Sequence, residues 1–514
     1  MAVEKLVKGA KLAPKATGIR EKVRKKIAQE RRVHAAPEDE FVFRCAMDGQ
    51  RGDARLLVKL LKDRYCFDHA SGMWYRWAGH FWVEDEINSI LVVLDEVVGE
   101  YEHQAQKTSW QAVNALREGD KALCKEAEKK RQVLLKKISK LQERDWRKKV
   151  LDFAAAGPES LGINGKEWDR YSHLLPCPNG VIDLQDGSFR GGRPEDYLKT
   201  ICPTEYRGLH ELAPHWDEFL LTIFNGDAEL AAYVRRVLGY SLLGQVVEHI
   251  MVIWWGVGRN GKGTLVEIIH YVLGELSGPI PSELLLEQSR TRSSAAPSPD
   301  ILALRGKRLV WASETQEGRR LDAAKLKWLV GGDTLVGREV YGKRLLRFPP
   351  SHTMVLLTNH RPHLAADDDA IWERIFLVPF TVSFVDQPFA PHQRPRDKEI
   401  SEKLKKEASG ILAWLVQGCL EWQKVGLQPP PMVVAATREY RQSEDTLQDF
   451  FDDCCILAPH AQVKAGELYE AYRDWCNRNG LKPLNGKSFG QKLRARFSWK
   501  KSGTIIYEGI GLKM

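Results

Sequence analysis

One short stretch of this 514-residue chain limits what the sequence around it can fold into. Residues 250–255, IMVIWW, form an apolar run typical of a strand buried on both faces of a parallel sheet. The chain then becomes glycine-rich in GVGRNGKGT, residues 256–264, and continues with apolar residues at helical spacing as far as Gly274. The order strand, glycine loop, helix predicts a phosphate-binding loop, with the positive end of the helix directed at the phosphates.

The residue types in this loop suit the binding of ATP and Mg²⁺. Glycines allow successive backbone N–H groups to turn toward a phosphate. Lys262 can reach the outer phosphates, and Thr264 can offer its hydroxyl to Mg²⁺. The alternatives are a structural glycine-rich turn and, because the order GKGT also suits them, a small-molecule nucleotide kinase. The predicted nucleotide-binding residues are Gly256, Gly258, Asn260, Gly261, Lys262, Gly263 and Thr264.

Composition sets the broad class of the protein. Hydrophobic residues make up 43% of the chain and the net charge is +9, values that fit a globular protein of several domains and permit a nucleic-acid partner without requiring one. The nine cysteines include no CxxC pair, so they indicate neither a zinc site nor a disulfide framework. No apolar run approaches the roughly 18 residues of a membrane span, and the N-terminus lacks the apolar segment of a signal peptide. We expect a cytoplasmic protein with no membrane partner.

Three polar residues beyond the loop stand where ATPase chemistry would need them. Glu314 follows a second apolar strand, residues 308–312, where a carboxylate can polarise water or hold Mg²⁺. Asn359 follows a third strand, residues 353–357, and can orient water against the terminal phosphate. Arg374 lies between a short helix and a further strand, from which it can stabilise transition-state charge in a neighbouring subunit. The alternatives are a surface glutamate at a strand end and an arginine that only complements a helix dipole.

A basic hairpin is predicted between the second and third strands. The break at residues 331–333, GGD, is followed by residues 334–348, which have the pattern of two short strands around Gly342. Lys343 and Arg344 lie at the predicted tip, which suits contact with a phosphate backbone. The alternative is a solvated charged hairpin without a partner.

The C-terminal part of the sequence has the pattern of a winged helix. A helix over residues 464–479, a turn, a helix over residues 486–497 and a hairpin around Gly503 follow one another. The second helix has a basic face that suits docking on duplex DNA, although winged helices also mediate protein contacts. Its predicted DNA-binding residues are Lys487, Lys492, Arg494 and Arg496.

The order of these segments resembles superfamily 3 helicases of the phage and plasmid primase-helicase and poxvirus primase-helicase type. The resemblance covers residues 170–385 and rests on LLPCPNGVIDLQDG, VRRVLGYSLLG, GVGRNGKGT, LVWASE, GGD with its hairpin, MVLLTN and DDDAIWERIFLVPF. It implies an α/β fold with an AAA+-like P-loop ATPase core, assembled as a hexameric ring. It also implies a DNA contact for Lys343 in the central channel. The residues to which it gives catalytic roles are Lys262, Glu314, Asn359 and, acting on the neighbouring subunit, Arg374.

Two departures from the family pattern are visible. Ser313 stands where members often carry a second acidic residue before Glu314, which leaves Thr264 and Glu314 as the predicted metal-binding residues. The acidic metal-binding signature of a primase domain is not found in the sequence. We therefore expect a helicase without its own primase.

The predicted chain has six parts. They are a basic tail (1–40), an aromatic-rich and helical N-terminal region (41–170), a pre-helicase domain (171–249), the ATPase core (250–395), a helical lid and linker (396–440) and the winged-helix domain (441–514).

We expect an ATP-dependent DNA helicase that replicates a phage, plasmid or integrated mobile element in the cytoplasm of a bacterial host. Its expected partners are single-stranded and duplex DNA, further copies of itself, and a separate primase or host replication protein. The alternative is an ATP-regulated origin-binding initiator with little unwinding activity.

Overall fold

The computed structural model describes residues 37–288, 296–313, 318–340, 345–481 and 483–513. These residues form two compact units. One contains the described residues up to 170 together with 192–199, and the other contains 171–191 and the described residues from 200 onward. The predicted basic tail falls almost entirely outside the described residues, as do Glu314 and the hairpin residues Lys343 and Arg344. Within the described ranges, no helix combines the length and the apolar character that crossing a bilayer requires.

The N-terminal unit consists of a helical bundle and a small sheet. Apolar residues of α2 and α4 at helical spacing, such as Leu57, Leu61 and Val97, are fully buried between the helices. The elements are α1 (Asp39–Met47), α2 (Gly49–Leu61), β1 (Tyr65–Asp68), β2 (Met73–Trp77), β3 (Trp82–Glu84), α3 (Ile90–Val93), α4 (Asp95–Arg117), α5 (Lys121–Lys140), α6 (Arg144–Ala154) and β4 (Gly162–Ile163).

The aromatic residues of this unit form the core of its sheet. The strand order is β3-β2-β1-β4, with β1 and β4 parallel and the other pairs antiparallel. Tyr75 and Trp82 are buried, and Trp82 stacks on Tyr197 at a ring distance of 6.2 Å. These side chains therefore stabilise the sheet by packing against one another.

A buried ion pair joins four helices of the bundle. Asp53 on α2 is fully buried and lies 3.0 Å from Lys137 Nζ on α5. Its carboxylate also accepts hydrogen bonds of 2.8 Å from Tyr101 Oη on α4 and from Trp146 Nε1 on α6. Three donors offset the cost of removing this charge from water, and they fix the positions of the helices that carry them.

The second unit begins with a small antiparallel sheet and two helices. Its strands pair in the order β5-β6-β7, with Leu174 opposite Asp183. The elements are β5 (Leu174–Cys177), β6 (Gly180–Asp183), β7 (Phe189–Arg190), α7 (Pro214–Ile223) and α8 (Ala228–Ser241).

A five-stranded parallel sheet forms the centre of this unit. Its strand order is β14-β8-β13-β10-β9, and all neighbouring strands are parallel. The predicted α/β class with a parallel sheet is thereby confirmed. The elements of this part are β8 (Met251–Trp255), α9 (Lys262–Leu273), β9 (Ser277–Pro279), α10 (Pro299–Leu302), β10 (Leu309–Ser313), α11 (Ala323–Val330), β11 (Leu335–Gly337), β12 (Leu346–Phe348), β13 (Thr353–Thr358), α12 (Asp369–Trp372) and β14 (Ile375–Pro379).

Each face of this sheet is covered by its own apolar layer, because side chains alternate along a strand. On β8, Val252 and Trp254 belong to the layer that contains α9, while Met251 and Ile253 belong to the layer on the other face. The strand that leads into the glycine loop is therefore buried on both sides, as its composition predicts. β11 and β12 form an antiparallel pair where the basic hairpin is expected.

Helices dominate the remainder of the chain, which ends in a small sheet with the order β17-β19-β18. The predicted helical lid and linker (396–440) contains two helices and most of a third. The elements are β15 (Ser383–Val385), β16 (Gln393–Pro395), α13 (Ile400–Lys406), α14 (Ala408–Val425), α15 (Pro431–Ser443), α16 (Thr446–Cys454), β17 (Cys455–Lys464), α17 (Ala465–Arg478), α18 (Gly486–Arg496), β18 (Trp499–Ser502) and β19 (Thr504–Leu512).

Replacing Asp53 with asparagine should destabilise the N-terminal unit by about 3–5 kcal/mol, because Lys137 would keep a buried charge without its counter-ion. Chemical denaturation measures the loss, and amide hydrogen exchange in α2 and α5 shows where it falls. Asp152→Asn on the exposed side of α6 is the matched control. Equal stability of the two variants would contradict a structural role for the buried pair.

Candidate active site

The glycine loop joins β8 to α9 at the carboxyl edge of the parallel sheet. Gly261 has a φ of 85°, and a Cβ atom there would lie 2.6 Å from Ile223 Cγ2. At Gly256, a Cβ atom would lie 2.4 Å from the carbonyl oxygen of Phe380. Glycine is therefore required at both positions. At Gly261 the positive φ and the lack of space for a Cβ atom both require it, and at Gly256 the lack of space alone does so.

Lys262, the first residue of α9, is turned back onto the loop. Its Nζ donates hydrogen bonds to the carbonyl oxygen of Gly256 at 2.7 Å and to Asn359 Oδ1 at 3.2 Å. The side chain is buried, and burial lowers the pKa of the amine to about 8 because the charged form loses its hydration. Two residues predicted to act together, Lys262 and Asn359, are thus in direct contact.

The parallel register brings the ends of three neighbouring strands together. Thr358, at the end of β13, pairs with Trp255 at the end of β8, and Ser313, at the end of β10, pairs with Leu357. The three strands therefore end at the same edge of the sheet, where polar residues were predicted to follow them. Glu314 follows Ser313 directly but lies outside the described residues.

Arg374 lies at the opposite edge of the sheet. The next residue, Ile375, begins β14 and pairs with Met251, the first residue of β8. Arg374 therefore lies one strand length, roughly 15 Å along β8, from the glycine loop. In its own subunit Arg374 hydrogen-bonds to the carbonyl oxygen of Ala370 and is not part of the site around Lys262.

A cavity of about 790 Å³ adjoins the glycine loop. It has the size of many small-molecule sites. Arg259, Gly261 and Thr264 form one wall, and the other walls come from α7 and from residues 384–403. These other walls were not predicted from the sequence, because no local pattern marks which distant segments lie beside the glycine loop. The residues on them include His215, Phe219, Asp386, Arg394, Arg396 and Lys403.

The basic residues predicted for α18 fall into two groups. Lys492 forms an ion pair of 2.8 Å with Asp367, and Arg496 forms one of 2.7 Å with Asp445. Lys487, Arg494 and Arg496 are all exposed, but Lys487 and Arg494 form no ion pair with another described residue. Lys487 and Arg494 are therefore better placed to contact an external anion than the two paired residues are.

Two segments of the chain match models of known families. Residues 54–225 match the family described as D5 N terminal like, and residues 442–505 match the family described as Poxvirus D5 protein-like. Neither segment includes the glycine loop.

Proteins of large DNA viruses are similar to the chain over longer stretches. "Putative helicase L207/L206" of Acanthamoeba polyphaga mimivirus is 27% identical over 461 residues, which cover 84% of this chain and 46% of the relative. "Putative primase C962R" of African swine fever virus (strain Badajoz 1971 Vero-adapted) is 23% identical over 331 residues, which cover 60% of this chain and 34% of the relative. The chain thus spans less than half the length of these relatives. The apo structure of the NrS-1 C terminal region is 12% identical, with a TM-score of 0.44, and the match covers 90% of this chain and 100% of that chain.

The chain is thus similar in two segments to D5-like families and, over longer stretches, to viral proteins named putative helicase or putative primase. The predicted resemblance to poxvirus primase-helicases is confirmed at this level.

If the glycine loop binds ATP as the sequence predicts, the lowered pKa of Lys262 makes that binding depend on pH. Above pH 7 the phosphates are ionised, so weaker binding at higher pH reports loss of the lysine proton. We expect the Kd for ATP to rise through pH 8 and then to increase up to about tenfold per pH unit. Titration with a fluorescent ATP analogue between pH 7 and 9.5 measures this change. Lys262→Arg should bind with little pH dependence, because arginine stays charged. A wild-type Kd that is constant over this range would contradict the prediction.

Proposed function

We propose that this protein is an ATP-dependent DNA helicase of the superfamily 3 type, which acts in replication as a ring that translocates on one DNA strand. The observation that carries the proposal is the contact between Lys262 of the glycine loop and Asn359 at the end of the adjacent strand. When the five strands are numbered in chain order from β8, their order in the sheet is 5-1-4-3-2. Strand 1, which precedes the glycine loop, therefore lies between two neighbours inside the sheet. This arrangement supports an AAA+-like ATPase core.

The chemistry of the site fits ATP with Mg²⁺. The amine of Lys262, the N-terminus of α9 and the loop N–H groups would bind the phosphates. Thr264 is the one described residue of the predicted metal pair, and it would share Mg²⁺ with the phosphates of the nucleotide, as is usual for this ion. Asn359 would orient the attacking water, and Glu314 would accept its proton.

The position of Arg374 favours an oligomer. Because it lies at the far edge of the sheet from its own glycine loop, it can act on ATP only at the site of another subunit. An arginine supplied in this way stabilises the charge that develops during phosphoryl transfer. The proposal therefore includes a homo-oligomeric ring, with a hexamer as the expected form.

DNA would be contacted at two places. Lys343 and Arg344 of the predicted hairpin would bind the phosphate backbone of one DNA strand inside the ring. The C-terminal part, in which α16, β17, α17, α18, β18 and β19 follow one another, has the element order of a winged helix and would hold duplex DNA. A separate primase or host replication protein would supply primers.

Strand displacement on a forked duplex tests the proposal. Wild-type protein should unwind the fork with ATP and Mg²⁺, whereas Lys262→Ala and Arg374→Ala should each lose at least about a hundredfold in rate. A mixture of the two variants should recover activity, because an intact Lys262 and an intact Arg374 then meet at some interfaces. Arg438→Ala, an exposed arginine on α15, is the control. DNA binding and ATP hydrolysis without strand displacement would support an origin-binding initiator instead.

Duplex binding by α18 makes a separate prediction. Replacing Lys487 and Arg494 together with alanine should weaken duplex binding and reduce the slope of log K against log salt by about 2, one unit for each lost phosphate contact. Fluorescence anisotropy at several salt concentrations measures both quantities. The matched control replaces Lys424 and Arg438, an exposed lysine and arginine on α14 and α15. Equal salt slopes for the two double variants would show that α18 does not contact DNA.

A further inference from the structure

Arg361 lies two residues beyond Asn359 and contacts two distant parts of the chain. Its guanidinium carbon is 4.2 Å from the centre of the Trp255 ring, and Trp255 ends β8 directly before Gly256. Its Nη1 and Nη2 atoms donate to Glu439 Oε1 on α15 at 3.0 and 3.1 Å. The side chain thus links the start of the glycine loop, the segment after β13 and α15.

The link formed by Arg361 would control the positions of the two groups that accept hydrogen bonds from the Lys262 amine. The two acceptors are the carbonyl oxygen of Gly256 and the side chain of Asn359. Trp255 immediately precedes the first acceptor, and Arg361 follows the second by two residues. The stack of Arg361 on Trp255 therefore ties together the two backbone segments that hold the amine.

The ring contact is the stronger part of the link. The side chain of Glu439 is 69% exposed, so its ion pair with Arg361 is screened by water and contributes little stability by itself. The side chain of Arg361 is only 20% exposed, and a cation over an indole ring is strongest where water is excluded. Arg361 is thus held mainly by Trp255, and Glu439 sets the direction of the guanidinium.

Helix α15 holds the rest of this segment. Tyr440 Oη donates to the carbonyl oxygen of Pro362, and Arg441 Nε donates to that of Ala366 at 2.9 Å. The backbone N–H of Leu364 donates to Glu444, the residue after the helix, at 3.1 Å. The residues beyond Asn359 are therefore attached to α15 along its C-terminal half, and they follow its position.

We propose that Arg361 is a positioning residue for ATP hydrolysis: it holds Gly256 and Asn359 in the geometry that presents Lys262 and the attacking water to the terminal phosphate. Through Glu439 it makes this geometry depend on α15, which ends at Ser443, three residues before α16 begins. This inference rests on the ATPase function proposed above.

Steady-state hydrolysis and ATP binding by the full chain test the inference. Arg361→Ala should lower kcat by roughly tenfold to a hundredfold, because small displacements of reacting groups cost about that much in rate. The Kd for ATP should change by less than about threefold, because Arg361 positions the site from outside the glycine loop. Arg361→Lys keeps a cation over the ring and should restore part of kcat. Glu439→Gln should have a smaller effect, and Arg438→Ala on the same helix should have none.

A double-mutant cycle gives a readout that remains if Arg361→Ala folds poorly. Trp255→Leu and Arg361→Lys should each lower kcat, and the double variant should lose less than the product of the two effects, because both weaken the same cation–ring contact. Multiplicative effects, or an unchanged kcat in Arg361→Ala, would overturn the inference while wild-type hydrolysis upholds the ATPase. No hydrolysis by the wild type with DNA and Mg²⁺ would overturn both proposals.

Discussion

The contact of one buried amine with two backbone segments is the interaction on which the candidate active site depends. Lys262 Nζ bridges the glycine loop and the neighbouring strand through Gly256 and Asn359, in a place where burial lowers its pKa. Burying a cation costs free energy unless polar groups surround it. The parallel register of β8 and β13 brings two acceptors, one after each strand, within reach of one amine. The two strands and the glycine loop therefore fix the position of this group.

Local patterns in the sequence predicted the strand bounds and the helix end around this site, because residues close together in the chain determine them. The boundaries of β8, β10 and β13 agree with the predicted strands to within one residue, because buried strands are marked by continuous apolar runs between polar ends. α9 ends at Leu273, directly before the predicted cap at Gly274. Helix capping and apolar periodicity depend on residues a few positions apart, so they can be identified in a single sequence.

The features that the sequence did not predict arise from contacts between distant segments. The cavity beside the loop is lined by α7 and by residues 384–403, which are far apart in the chain. Arg361 contacts Glu439 and also Trp255, which lies about a hundred residues earlier in the chain. β17 was missed because most of its residues are exposed and its apolar residues do not alternate regularly. Charge alone also failed to separate Lys492, which is paired with Asp367, from the exposed Lys487, since a basic residue looks the same in sequence whether its partner is inside or outside the molecule.

Two of the arguments behind the proposed function rest on different residues of the chain. The D5-like family matches cover residues 54–225 and 442–505, whereas the strand, loop and polar residues of the ATPase argument lie between residues 250 and 380. The family-model matches and the ATPase argument therefore use different residues, whereas the similarity to the viral relatives, which covers 84% of the chain, spans both. The contacts from Arg361 to α15 add a physical reason to connect the two: a C-terminal part that binds DNA would need a rigid connection to the residues around Lys262, and α15 makes hydrogen bonds to the segment that follows Asn359.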